Sequence, residues 1–155
     1  ARSCQTPRQG PQTPVGLTLG GQSLRSVIVN PRLVHLKKRG EFLRVASARR
    51  KFVTPSLILQ ARPHDESDAE DIPPVRVGFT VSRRVGDAVV RNRVRRRLRA
   101  AAEEIMPDYA DANSDFVIIG RTAARGQEYT SLTGHLKSAL AKYEIENNKQ
   151  KPNAE

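Results

Sequence analysis

The segment VRVGFTVSRRVGDAVVRNRVRRRLRAAAEEI, residues 75–105, decides the fold because it joins two apolar patterns of different period. Its first eight residues alternate, which is typical of a strand with one face turned to the core. That face consists of Val75, Val77, Phe79 and Val81. From Asp87 to Ile105 the apolar residues recur at steps of three and four, which predicts an amphipathic helix that ends before Pro107. The buried stripe of this helix would consist of Val90, Val94, Leu98, Ala101 and Ile105.

Weaker patterns on both sides of this segment predict the remaining elements. They are a helix at 40–48, strand material at 52–54 and 56–61 around Pro55, a strand at 115–120 and a helix at 131–146. The last helix would pack through Leu132, Leu136, Ala139, Leu140 and Tyr143. The predicted order is therefore α-β-β-β-α-β-α, a small two-layer α+β sandwich of one sheet with helices.

Length and composition indicate one domain with tails. The chain has 155 residues and a net charge of +11. Residues 1–30 contain prolines and glycines but no acid, so we expect a disordered basic extension. The domain would span 31–147, followed by a polar tail at 148–155. An acidic, proline-bounded stretch at 63–74 is expected to be a surface loop between two strands.

Several classes of protein are disfavoured by composition. The single cysteine, Cys4, excludes an internal disulfide framework, and three well-separated histidines do not suggest a metal site. The longest apolar run, 116–119, is far too short to span a membrane, and no secretion signal is visible. No paired carboxylates or nucleophile motif indicate catalysis by protein side chains. We therefore expect a soluble cytoplasmic protein with no membrane partner and no small-molecule substrate.

The positive charge is concentrated around the long helix. Residues 76–99 hold nine arginines and one acid, whereas residues 63–75 hold five acids and no base. No acid lies between Arg91 and Arg99, so the arginines of this helix repel one another unless an anion binds. Guanidinium groups match phosphate oxygens in bidentate geometry, which favours a polyanion as partner. A helix face that is merely exposed to solvent usually carries both positive and negative side chains, and this one does not. A membrane-surface helix would need a broader apolar face with large aromatic side chains. Composition does not separate RNA from DNA.

The same segment resembles a known family. GFTVSRRVG at 78–86, running into AVVRNRVRR at 88–96, is similar to the signature of the bacterial ribonuclease P protein subunit, and Arg99 matches a further arginine one turn later. The flanks agree at Leu36-Lys37-Lys38, at Glu41-Phe42, at 115–121 and at 132–143. The resemblance covers about residues 33–146. It implies a left-handed β-α-β crossover around the arginine helix, against the general right-handed rule.

The resemblance implies a protein cofactor of a catalytic RNA. In that family the RNA subunit removes the 5′ leader of precursor tRNA with Mg²⁺ held mainly by RNA, and the small protein binds this RNA and the leader. The chain would thus be a subunit of an endoribonuclease without catalytic or metal-binding residues of its own. A structural RNA-binding protein, such as a ribosomal component, is the alternative. A third hypothesis is a nuclease that acts without RNA, which is disfavoured because the sequence shows no catalytic motif.

Candidate binding residues follow from the matched positions. The RNA-binding set is Arg83, Arg84, Arg91, Asn92, Arg93, Arg95, Arg96 and Arg99. The leader cleft, between the first helix and the sheet, would contain Phe42, Arg44, Arg49 and Phe79. The two aromatics either stack on single-stranded RNA or belong to the core. The chain departs from the family at Ala46 and Gln60, where aromatic residues can occur, so stacking on the leader would be weaker.

Overall fold

The computed structural model describes residues 33–64 and 75–150. The predicted basic extension, most of the predicted acidic loop and residues 151–155 lie outside these ranges. The helices and strands are β1 (Val34–His35), α1 (Arg39–Ser47), β2 (Arg50–Val53), β3 (Leu57–Pro63), β4 (Val75–Val81), α2 (Ala88–Ile105), β5 (Ser114–Gly120) and α3 (Tyr129–Gln150). Short 3₁₀ segments occupy Arg83–Val85, Met106–Ala112 and Thr122–Arg125.

One five-stranded sheet organises these elements in the order β1-β4-β5-β3-β2. β4 is parallel to both β1 and β5, whereas β3 is antiparallel to β5 and to β2. The connection β4-α2-β5 therefore joins neighbouring parallel strands, and its left hand stays a prediction. The predicted α+β class and element order are confirmed, with β1 added before α1. A two-residue strand is too short to show any period in the sequence.

The main core lies between one face of the sheet and the helices α2 and α3. All five predicted packing residues of α3 are buried, and so are four of the five predicted for α2. The exception is Val90, which is only partly buried, while Ala102 joins the stripe. α3 begins two residues before the predicted start and continues to Gln150, so residues 148–150 of the predicted tail are helical.

Local signals at both ends define α2. Asp87 caps the helix, because its Oδ1 accepts a hydrogen bond from the backbone N–H of Val90 at 2.9 Å. Gly86 precedes the cap with a φ of 153°, a conformation that side chains rarely adopt. At the other end the helix stops at Ile105, before Pro107, as predicted. These signals fix where the helix begins and where it ends.

α1 covers part of the opposite face of the sheet, so helices lie on both sides and the fold has a partial third layer beyond the two that were predicted. Its contact is a small second cluster in which Leu36, Val45 and Val117 are buried, with Phe42 and Ile119 packed against them. Gly78 makes this close approach possible. A Cβ at that position would lie 2.5 Å from Cε1 of Phe42, well inside van der Waals contact.

A charged network fixes α1 to the sheet. Arg76 on β4 donates from Nε and Nη2 to the two carboxylate oxygens of Asp115 on β5, at 2.7 and 2.6 Å. Its Nη1 donates to Oε1 of Glu41 on α1 at 3.1 Å. His64 Nε2 lies 2.9 Å from Oδ1 of Asp115, which is only 1% exposed. The bidentate pair therefore stabilises the buried charge of Asp115. Through Glu41, Arg76 also links this pair to α1.

The second oxygen of Glu41 serves the helix itself. Oε2 accepts hydrogen bonds from the backbone N–H groups of Lys37 and Lys38, at 3.0 and 2.9 Å. These bonds, led by the one from Lys38, hold the pKa of Glu41 below its ordinary value, although partial burial opposes them. Burial likewise raises the pKa of Asp115, but the hydrogen bonds from Arg76 and His64 outweigh it, so that pKa is also lowered.

A charge on the α2 stripe should unfold the domain. Val94 is 2% exposed, and an unpaired carboxylate buried there costs several kcal/mol against a total stability of about 5–15 kcal/mol. We expect Val94→Asp to lose its cooperative thermal transition by circular dichroism. Ala100→Asp, on the exposed side of the same helix, should keep it. A folded Val94→Asp protein would contradict this packing.

The charged network should make stability depend on pH. Because the pKa of folded Asp115 is lowered, its stabilising contribution is present at neutral pH and is lost as the pH falls through that pKa. We expect Arg76→Leu to reduce the free energy of unfolding by about 3–5 kcal/mol near neutral pH. The deficit should shrink only as the pH falls below the ordinary pKa range of an aspartate, because the pKa of folded Asp115 is lowered and its carboxylate stays ionised until the pH reaches that lower value. Urea unfolding at several pH values measures both effects. Arg125→Leu, at an exposed position, is the control, and a deficit independent of pH would contradict the assignment.

Candidate nucleic-acid interface

The outward side of α2 carries most of the predicted RNA-binding residues. Asn92, Arg93, Arg96 and Arg99 are exposed, and Arg91 and Arg95 are half-buried along one flank. Because the aliphatic stripe faces the sheet, every one of these side chains is directed to the outer side or an edge of the helix. The structure therefore brings six of the eight predicted residues onto one surface, which we call the α2 surface.

This surface has no acidic counterpart among the described residues. Arg95 Nη1 donates to Oδ1 of Asn92 at 3.3 Å, and Arg91 Nε donates to the backbone oxygen of Asp87 at 3.4 Å. Within the described ranges, none of the arginines at 91, 93, 95, 96 and 99 forms an ion pair. Their charges therefore add to one positive field, which attracts a polyanion and orients its approach.

Arg97 plays a different part from its neighbours. It is half-buried, and its guanidinium donates to the backbone oxygens of Ala124, at 3.3 Å, and Gln127. The residue thus ties α2 to the turn that precedes α3. Its place on the helix flank that faces α3 is consistent with its absence from the predicted RNA-binding set.

Arg83 and Arg84 lie in the 3₁₀ turn after β4, and both are exposed. Arg84 lines a groove of about 340 Å³ together with Arg121, Ile58 and Ile119. Arg121 enters this groove because Val81 pairs with Gly120, so both parallel strands end at the same edge. Its Nη1 donates to the backbone oxygen of Thr54 at 3.0 Å, which holds it in place. Sequence reasoning left Arg121 out of the site, although its position directly after a strand was a usable signal.

The predicted leader cleft needs one correction. Phe42 lies on the α1 side of the sheet over Gly78, whereas Phe79 packs with the core on the α2 side. There its ring lies 5.9 Å from the Arg99 guanidinium and 5.7 Å from the His35 ring. Successive residues of a strand face opposite sides of a sheet. Phe79 therefore shares no cleft with Phe42, as its alternation with the valines of β4 already implied.

Two arginines and one polar residue remain on the α1 side. Arg44 and Arg49 are both exposed. Arg49 follows α1 with a φ of 56°, a position where glycine is usual and other residues cost about 1–2 kcal/mol. Gln60 is half-buried on β3, between Leu59 and Ala61, which face the main core. The structure thus places it on the sheet face that α1 partly covers, without an aromatic ring.

The donor set on the described residues does not suit a metal ion. Across residues 33–64 and 75–150, no three His, Cys, Asp or Glu side chains are placed so that they could hold one.

Within the same ranges, no helix combines the length and the apolar character needed to cross a membrane.

Comparison with known proteins shows similarity to one family over most of the described domain. The sequence pattern of the family described as ribonuclease P matches residues 31–144. The chain is 50% identical over 109 residues to the ribonuclease P protein component of Paramagnetospirillum magneticum, covering 70% of this chain and 81% of that protein. It is 49% identical over 107 residues to the ribonuclease P protein component of Gluconacetobacter diazotrophicus, covering 69% of this chain and 88% of that protein.

Solved structures show the same fold at lower sequence identity. The RNase P protein of Staphylococcus aureus superimposes with a TM-score of 0.58 at 20% identity, covering 71% of this chain and 94% of that one. The RNase P protein from Thermotoga maritima superimposes with a TM-score of 0.57 at 19% identity, covering 68% of this chain and 94% of that one. With the family match over most of the domain and the arginine surface of α2, these similarities lead to one conclusion: the chain belongs to the ribonuclease P protein family, as the protein component of an RNA-based enzyme that processes tRNA.

Proposed function

We propose that the α2 surface binds the RNA subunit of ribonuclease P, while the α1 side of the sheet contacts the 5′ leader of precursor tRNA. The observation that supports the first part is the set of α2 arginines without acidic partners among the described residues. RNA phosphates supply the missing negative charge, and each contact releases condensed counterions. Arg83 and Arg84 extend the same basic surface beyond the end of β4.

The leader site is proposed on the other face of the sheet. Phe42 is half-buried at the edge of α1, and Arg44 and Arg49 are exposed nearby in sequence. At the edge of the sheet where Arg84 extends the α2 surface, Arg84 and Arg121 also border a groove that has both polar and apolar residues in its lining. An aromatic ring, an apolar floor and separate cations are the parts that hold single-stranded RNA. The unfavourable φ of Arg49 is consistent with retention of its side chain for binding.

The chemistry of cleavage belongs to the RNA in this proposal. The described residues offer no metal cluster, and the α2 surface repels cations. We therefore propose that the Mg²⁺ required by the holoenzyme is held by RNA phosphates and by no side chain described here. The protein would bind both RNAs in the cytoplasm and reduce the repulsion between their backbones.

Reconstitution tests the proposal. Precursor tRNA is incubated with a bacterial ribonuclease P RNA at low Mg²⁺ concentration, with and without the protein. We expect the protein to accelerate removal of the leader and to cleave nothing by itself. If the rate with protein equals the rate without it, the proposed cofactor function is wrong.

Two arginines of the α2 surface should account for part of the salt dependence. In Arg91→Ala/Arg95→Ala, we expect the slope of log affinity for the RNA subunit against log salt to become less steep by about two units. The reason is that two phosphate contacts are lost. The matched control is Lys137→Ala/Lys142→Ala, which removes the same charge from exposed positions of α3. An equal slope change in both proteins would mean that net charge alone is responsible.

Replacing the ring of Phe42 should weaken binding of the leader specifically. Phe42→Leu keeps an apolar side chain over Gly78 but removes base stacking. We expect the holoenzyme to lose about five- to a hundredfold in affinity for precursor tRNA. Affinity for mature tRNA should not change, and competition binding measures both. Leu43→Ala, at a side chain 59% exposed on the same helix, is the control. If the wild-type and Phe42→Leu holoenzymes bind precursor tRNA with equal affinity, the ring contributes only to packing and not to leader binding.

A further inference from the structure

Val89 is the most exposed of the large apolar side chains that the structure describes. In the first turn of α2, it is 77% exposed, ahead of Leu43 at 59% and Ile145 at 57%. Its β-branched side chain is also a weaker helix former than alanine. Neither burial nor helix propensity therefore accounts for a valine at this position.

The surroundings of Val89 form a small site. Residues 89, 92, 93 and 96 share one side of α2, and Val89, Asn92, Arg93 and Arg96 line a shallow depression of about 340 Å³. This volume falls in the lower part of the range for small-ligand sites. The depression thus combines one apolar side chain, an amide and two guanidinium groups.

We infer that Val89 is an apolar anchor of the α2 surface, packing against the sugar or base of one nucleotide of the RNA subunit. The inference rests on the proposed function of that surface. A nucleotide combines an apolar face with a flanking phosphate, which matches the valine and the paired arginines. Phosphate contacts by arginines carry no information about the bases, whereas an apolar contact favours RNA in which the sugar or base of a nucleotide is accessible.

The position of the depression favours the RNA subunit over the leader. Val89 lies on the outer side of α2, away from the sheet, whereas Phe42 lies on the far side of that sheet. The sheet and α2 therefore lie between the two side chains. The two sites contact different RNA segments in this arrangement.

The test separates apolar contact from charge. We expect Val89→Ala to lower affinity for isolated RNA subunit roughly tenfold, the value for burying two methyl groups. The slope against salt concentration should not change, since no charge is removed. The variant should be at least as stable as wild type in urea, because alanine is the better helix former. Ile145→Ala, on α3, should bind the RNA subunit as wild type does.

Each contrary outcome identifies what is wrong. Unchanged affinity in Val89→Ala overturns the anchor, as does a loss accompanied by a change in salt slope. A loss seen with precursor tRNA alone, but not with the RNA subunit, also overturns it. Failure of the proposed function looks different, because then Arg91→Ala/Arg95→Ala would bind the RNA subunit with wild-type affinity.

Discussion

The burial of one narrow aliphatic stripe of α2 against the sheet is the constraint on which the rest of the site depends. Val94, Leu98 and Ile105 are almost completely buried, and each such side chain contributes about 1.5–3 kcal/mol. With this stripe fixed, the remaining positions of the helix must face outward or lie along its edges. The arginines occupy those positions, so packing energy is what holds their like charges together. In the proposed complex, RNA phosphates relieve the repulsion that the fold imposes.

β4 relates the two sides of the molecule. Its valines face α2 and α3, whereas Arg76 and Gly78 face α1. Arg76 joins α1 to the buried Asp115, and Gly78 leaves room for the ring of Phe42. A single strand thus supports the α2 surface on one face of the sheet and positions the proposed leader site on the other. In our proposal, one domain therefore contacts two RNA segments.

Periodic features of the sequence predicted the fold well. The stripes of α2 and α3 and the order of the elements follow from repeats that a helix or strand imposes on its own residues. What the sequence did not reveal depends on contacts between distant segments. β1 is a strand only because it pairs with β4. The network around Asp115 joins β4, β5 and α1. Arg97 looks like its neighbours in sequence, yet two carbonyl groups near α3 bind it. Phe79 packs against the core on the α2 side of the sheet, as strand alternation implied, and not on the face that carries Phe42.

The central claim is that the α2 surface recognises the RNA subunit of ribonuclease P. The most direct measurement is to sequence the RNA that co-purifies with the full chain from its host at increasing salt concentration, beside the variant that lacks Arg91 and Arg95. Our account predicts that ribonuclease P RNA is enriched over ribosomal RNA with the wild-type chain, and that the variant loses it at lower salt. Preferential recovery of ribosomal RNA, or equal retention of ribonuclease P RNA by both proteins, would contradict it.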